Sequence, residues 1–210
     1  MARGVFIAIE GGDGVGKDTQ IELLKKEFNG PQFLYTREPG GTALGKVLRE
    51  MLLHESYGSL PLLTEVCLFL ADRAQHAAEV VAPALRDGKI VISNRSWISM
   101  LAYQLWGRDR LDMRAFVEPA IAEAYRECPL DRAIILDLPP EVGLERQRRM
   151  GKQFDVMENM GLDARERVRR GFLEVSKQLP AAAVVDADQS MEEVCRQVRA
   201  LVIEAAGISA

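Results

Sequence analysis

Gly11, Gly14 and Gly16 lead into Lys17 in the stretch IEGGDGVGKDTQ, residues 9 to 20. Glycines so spaced let the backbone curl with its N–H groups inward, and a lysine just after them reaches phosphate oxygens. The chemistry this points to is nucleotide binding through Gly11, Gly12, Asp13, Gly14, Val15, Gly16, Lys17, Asp18 and Thr19. A serine or threonine ordinarily follows the lysine and holds magnesium through its hydroxyl; here the residue is Asp18. A carboxylate is a hard oxygen donor that suits Mg²⁺, although it adds negative charge beside a triphosphate. Thr19 offers a hydroxyl, but about 100° further round the helix.

Phosphoryl transfer asks for aligned phosphates, neutralised charge and excluded water rather than covalent catalysis. The arginines fit that demand. Arg37, Arg49 and Arg95 stand near strand ends or loops, where a crevice at the carboxyl ends of parallel strands would gather them. Phe69 and Arg73 are four residues apart and share a helix face, an aromatic ring to stack on a pyrimidine and a guanidinium for its carbonyl. Arg146, Arg148, Arg149 and Lys152 cluster in RQRRMGKQFDVMEN, residues 146–159, where helical periodicity fails and a short lid is expected. Plainer readings stand beside these: a surface ion pair for Arg49, core packing for Phe69, a solvated helix end for any one lid arginine.

Apolar runs rich in β-branched residues must position these groups. VFIAIE (5–10), QFLYT (32–36), KIVIS (89–93), RAIILDL (132–138) and AAVVDA (182–187) read as strands buried on both faces. Helical patterns follow the glycine loop at 18–28 and cover 42–54, 62–86, 112–126, 140–149, 162–177 and 190–206. Strand–helix alternation predicts an α/β fold, a five-stranded parallel sheet flanked by helices on both faces. The 210 residues suit one domain, 1–210, with the lid at about 146–159. Net charge is −4, against a nucleic-acid polymer as partner. Cys67, Cys128 and Cys195 lie far apart and form no metal-like pair, and no apolar run spans a bilayer, so a cytoplasmic setting is expected. Cys67 reads as core, and His54 and His76 show no catalytic partner.

The two glycine motifs, GGDGVGKDTQ and TREPGGT (36–42), together resemble the thymidylate kinase family of P-loop nucleoside-monophosphate kinases. The likeness continues through LFLADRAQH (68–76), NRSWISMLAYQ (94–104), DLPPEVGLERQRR (137–149) and VVDADQSMEEV (184–194), in order along nearly the whole chain. It implies a P-loop kinase fold and ATP-dependent, Mg²⁺-dependent phosphorylation of dTMP to dTDP in dTTP synthesis, by a homodimer. It further implies acceptor-phosphate contacts from Arg49 and Arg95, thymine recognition by Phe69 and Arg73, and Tyr103 and Gln104 along sugar and base. Asp13 would accept from the 3′-hydroxyl, and the turn at Pro39 would steer Arg37. Lys17 and Arg95 would stabilise transition-state charge, assisted by Arg146, Arg148 or Arg149, because Val15 stands where some members carry a loop arginine. Val156 stands where many bacterial relatives have another lid arginine.

This family generally reads Asp-Arg after the third strand, where this chain reads Asn94-Arg95. A carboxylate gained at 18 and absent at 94 reads as a compensating exchange beside the metal, with Asp18 as ligand or as an acceptor next to one. The alternatives are a kinase for another deoxynucleotide, such as dUMP or a modified pyrimidine, and a nucleotide-binding regulator with weakened catalysis. Adenine contacts are expected near DADQS (186–190).

Overall fold

Five strands, β1 (Val5–Gly11), β2 (Phe33–Arg37), β3 (Ile90–Asn94), β4 (Arg132–Asp137) and β5 (Ala182–Asp186), form one parallel sheet in the order β2-β3-β1-β4-β5. The computed structural model describes residues 3–53, 60–151 and 160–208. His54, Lys152 and Val156 lie outside the described residues. The strands form where the apolar runs predict them, because each is covered on both faces. Phe6 of β1 belongs to one core with Val91, Ala133 and Ile135, whereas Ile7 and Ile9 belong to the other with Ile92, Ile134 and Leu136. That alternation is the two-residue period of a strand.

Helices α1 (Lys17–Glu27) and α9 (Met191–Ala206) cover the second face through Ile21, Leu24, Val194, Val198 and Val202. The first face carries α3 (Leu62–His76), α6 (Arg114–Ala124) and α8 (Leu162–Gln178). Helix α2 (Ala43–Leu53) packs on α3. Helix α3 runs on without a break through a π-helical stretch, Ala77–Val81, into α4 (Ala82–Arg86), so the predicted 62–86 segment is continuous. Helix α7 (Pro140–Arg149) contains Arg146, Arg148 and Arg149, which makes the start of the expected lid the last turn of a regular helix.

One element escapes the periodic reading. Helix α5 (Trp97–Met100) continues as a π-helical segment, Leu101–Gly107, and every side chain from Ile98 to Leu105 is buried. A helix enclosed on all sides carries no polar face to mark its period. It packs against α8, where Gly171 lies so close that a Cβ would stand 2.7 Å from Trp106. One sequence expectation is corrected: Cys67 is exposed on α3 rather than in the core. His76 is buried, with hydrogen-bond partners on both ring nitrogens, outside the cavity wall.

Strand register sets the site. Ile9 and Arg37 both lie beside Asn94, and Gly11 beside Leu136. The chain therefore leaves β1, β2 and β3 at the same carboxyl end of the sheet, where the crevice of a parallel α/β fold opens.

Candidate active site

The loop between β1 and α1 depends on three left-handed glycines, Gly11 (φ 130°), Gly14 (φ 79°) and Gly16 (φ 97°). Gly14 needs its bare Cα for a second reason, since a Cβ there would stand 2.2 Å from the carbonyl oxygen of Gly143 on α7. Val15 points into the core and anchors the loop, so its contribution to the site is its backbone. The loop ends at the first turn of α1, whose unpaired N–H groups favour anions. Lys17 Nζ donates to the carbonyls of Gly11 (3.0 Å) and Gly12. Burial, then the charge of Arg95, lowers its pKa to about 7.

Arg95 begins the turn after β3 with φ 75°, a conformation that non-glycine residues rarely adopt. Its N–H donates to Ile9 O (3.0 Å) and its carbonyl accepts from Ser93 Oγ (2.7 Å), which holds the backbone in place. The guanidinium then projects over the glycine loop. It donates to Asp13 Oδ1 (2.6 Å), Gly11 O (3.2 Å), Ser99 Oγ (3.0 Å) and Tyr103 Oη (3.1 Å). Tyr103 in turn donates to Asp13 Oδ2 (2.7 Å). Burial works against the Asp13 carboxylate, yet Arg95 and Lys17 hold its pKa below the usual range. Beneath them Glu10 is fully buried and accepts from the Ser96 N–H and from the hydroxyls of Ser96 and Ser99.

A second group lies beyond Arg95. The Arg73 guanidinium sits 5.2 Å from the Phe69 ring centre and donates to the carbonyls of Ser96 and Phe69. Behind it Glu38, also buried, accepts from Tyr125 Oη (2.7 Å) and His76 Nδ1 (2.7 Å) and pairs with Arg73 Nε at 3.4 Å. The other His76 nitrogen bonds Thr36 Oγ1. Arg49 donates to Pro39 O (3.1 Å), tying α2 to the turn after β2. Gly40 N, on the same turn, donates to Asp72 Oδ1 of α3.

The loop, Arg49, Arg73 and Arg95 face one cavity of about 690 Å³, within the range of small-ligand sites, and Glu10, Glu38 and His76 support it from behind. Its walls include Asp13 through Thr19 of the loop, with Arg37, Pro39, Arg49, Phe69, Arg73, Arg95, Tyr103 and Gln104. The opposite end is bounded by Arg146, Arg149, Ala187, Gln189, Met191 and Val194, which puts part of DADQS in the wall. Arg146 donates to Ala187 O (3.1 Å), and Arg149 pairs with Glu145. Three expected residues are not in this wall. Gly11 and Gly12 supply the carbonyls that Lys17 meets, and Arg148 is exposed on α7.

Sequence reading missed Glu10, Glu38, Glu65 and Gly143. Glu10 left one signal, a carboxylate closing an apolar strand. The other two glutamates look like surface residues until the fold supplies their partners.

Asp18 and Asn94 meet directly, with Asn94 Nδ2 donating to Asp18 Oδ1 at 2.7 Å. Asn94 Oδ1 is buried without a hydrogen-bond partner, and Asp18 is exposed on the cavity wall. The Asp18 carboxylate is a hard oxygen donor on the cavity wall that fits Mg²⁺, which takes one or two protein oxygens together with substrate phosphates, and Asn94 holds it through an amide N–H.

Comparison with known proteins gives a consistent result. A family model described as thymidylate kinase matches residues 9–198. The thymidylate kinase of Carboxydothermus hydrogenoformans is 44% identical over 94% of this chain and 96% of its own. That of Pelotomaculum thermopropionicum is 41% identical over 90% and 88%. Among solved structures, thymidylate kinase from Ehrlichia chaffeensis superposes with a TM-score of 0.73 at 27% identity, covering 95% of this chain and 99% of that one.

Proposed function

The chain belongs to the thymidylate kinase family, and from that premise we propose that it transfers the γ-phosphoryl group of ATP to dTMP, giving dTDP and ADP. An oxygen of the acceptor phosphate attacks the γ-phosphorus while the bond to the β,γ-bridging oxygen breaks, and ADP leaves. The observation that carries this reading is that Lys17, Arg95 and the Phe69–Arg73 pair line one cavity, with the Arg95 guanidinium bonded to the glycine loop. ATP then occupies the end bounded by Arg146 and Ala187, with its phosphates on the loop. The acceptor base lies against Phe69, Arg73 and Gln104, and its phosphate reaches Arg37, Arg49 and Arg95. Asp13 and Tyr103 border the sugar between them.

Catalysis on this reading is positioning plus charge stabilisation. Arg95 is set by its backbone and by Glu10 through Ser99, so little reorganisation is needed when charge develops. Arg146 and Arg149 supply further positive charge from α7. Asp18, fixed by the Asn94 amide, would hold Mg²⁺, and when bound the ion neutralises phosphate charge. We read Asp18 and Asn94 as a compensated pair: the carboxylate has moved to α1, and the amide opposite it avoids a second negative charge.

Leu44 and Val47 on α2, Leu63 on α3 and Phe116 on α6 are exposed apolar residues on helices that pack in succession. That supports a homodimer, which light scattering of the purified protein tests. Among the described residues no helix is long and apolar enough to cross a membrane, and with the three separated cysteines this supports a cytoplasmic enzyme. The central test is ADP release from ATP and Mg²⁺ with dTMP, dUMP, dCMP, dGMP or no acceptor. A dTMP-dependent signal is expected. Nucleotide binding without acceptor-dependent ADP would replace this reading by that of a regulator.

A further inference from the structure

Gln104 is gripped from the side away from the cavity. Its Nε2 donates to Glu65 Oε1 at 3.0 Å, and Glu65 Oε2 accepts from Arg108 Nη2 at 2.7 Å. Glu65 and Gln104 are both buried, yet Gln104 forms part of the cavity wall beside Phe69, Arg73 and Tyr103. The two ends of a glutamine amide have nearly the same shape, and a half-turn exchanges donor for acceptor. A carboxylate only accepts, so the amide nitrogen must face Glu65. The carbonyl oxygen is the end that remains for the cavity.

We propose that Glu65 is a specificity-determining residue, one that locks the Gln104 amide so that the site selects a pyrimidine carrying a ring N–H. This rests on the reading above, that the Phe69–Arg73 end takes the acceptor base. Thymine and uracil present a carbonyl, which suits the Arg73 donors, beside a ring N–H, which suits Gln104 Oε1. Cytosine presents an amino group and a bare ring nitrogen, and meets the wrong partner at both points. A freely turning amide would repair the second mismatch by offering Nε2. With Glu65 behind it, that turn sets two acceptors face to face.

The test is Glu65→Gln, which keeps the shape of the side chain but lets it either donate to or accept from Gln104. Steady-state rates with dTMP and with dUMP are measured, together with inhibition by dCMP competing against dTMP. The ratio of the dCMP inhibition constant to the dTMP KM should fall about tenfold, while the preference between dTMP and dUMP stays within twofold. General damage lowers dTMP and dUMP rates alike and leaves the dCMP ratio where it was. A dCMP ratio within twofold of the unaltered enzyme, or no dCMP inhibition of either protein, overturns the proposal. Should Glu65→Gln not fold, Glu65→Asp draws the carboxylate back from the amide, and the same fall is expected. Failure of the underlying reading looks different: the unaltered enzyme then shows no ADP release dependent on dTMP or dUMP.

Discussion

Asn94 donates its side-chain N–H to Asp18 across the mouth of the phosphate loop, joining the end of β3 to the first turn of α1 at 2.7 Å. The pair predicts non-additive substitutions. Asn94→Asp turns the contact into two facing carboxylates and should lower kcat/KM by about tenfold to a hundredfold while raising the Mg²⁺ needed for half-maximal rate. Asp18→Thr should cost less. The double change should recover to within a few-fold of the starting enzyme, a coupling of about 1–2 kcal/mol. Magnesium titrations of the four proteins measure it, and losses that simply add would show the two sites to be independent.

Lys17 carries a prediction about protons. Burial and the neighbouring Arg95 lower its pKa to about 7, so at pH 8 the free enzyme holds it largely neutral. Phosphate anions favour the ammonium and raise the pKa again. Binding of a non-hydrolysable ATP analogue at pH 8 should therefore take up close to one proton, and this contribution should vanish near pH 6, where Lys17 is already charged. Calorimetry in two buffers of different ionisation enthalpy reads the uptake. Lys17→Arg should bind without it; equal uptake in both proteins would assign the proton elsewhere.

Glu38 collects three donors, Tyr125, His76 and Arg73, in a region closed to water. Glu38→Gln puts an amide N–H against at least one of them. The expected loss is about 3 kcal/mol, which for a chain of this size lowers Tm by about 6–12 °C. Because Arg73 stands at the base end rather than by the reacting phosphates, the KM for dTMP should rise at least fivefold with a smaller change in kcat. Thermal unfolding and acceptor kinetics decide this; an unchanged Tm would mean the network contributes nothing to stability.

Gly143 lets α7 lie against the loop. A Cβ there would stand 2.6 Å from the carbonyl oxygen of Asp13, a backbone atom that moves only if the loop moves. Gly143→Ala should cost about 1–3 kcal/mol and lower kcat about tenfold to a hundredfold by displacing Asp13 and Lys17. Gly161→Ala, where a Cβ meets open space, is the matched control and should leave kcat unaltered. Equal behaviour of the two variants would remove loop displacement as the cause.

The five strands, most of the helices and the phosphate loop are legible along the chain, because each is a local pattern of apolar period or glycine spacing. Most residues of the cavity wall can be named in the same way, and Asp18 and Asn94 fall in one neighbourhood. What those residues touch is set by the assembled fold. The helix from Trp97 to Gly107 was invisible because burial on every side erases the period that would betray it. Glu10, Glu38 and Glu65 meet their partners across long stretches of chain, 86 residues from Glu10 to Ser96 and 39 from Glu65 to Gln104. Strand register and helix packing bring such groups together, and a buried carboxylate must then find donors wherever the fold has put them. That requirement belongs to the assembled interior, and no local stretch of sequence contains it.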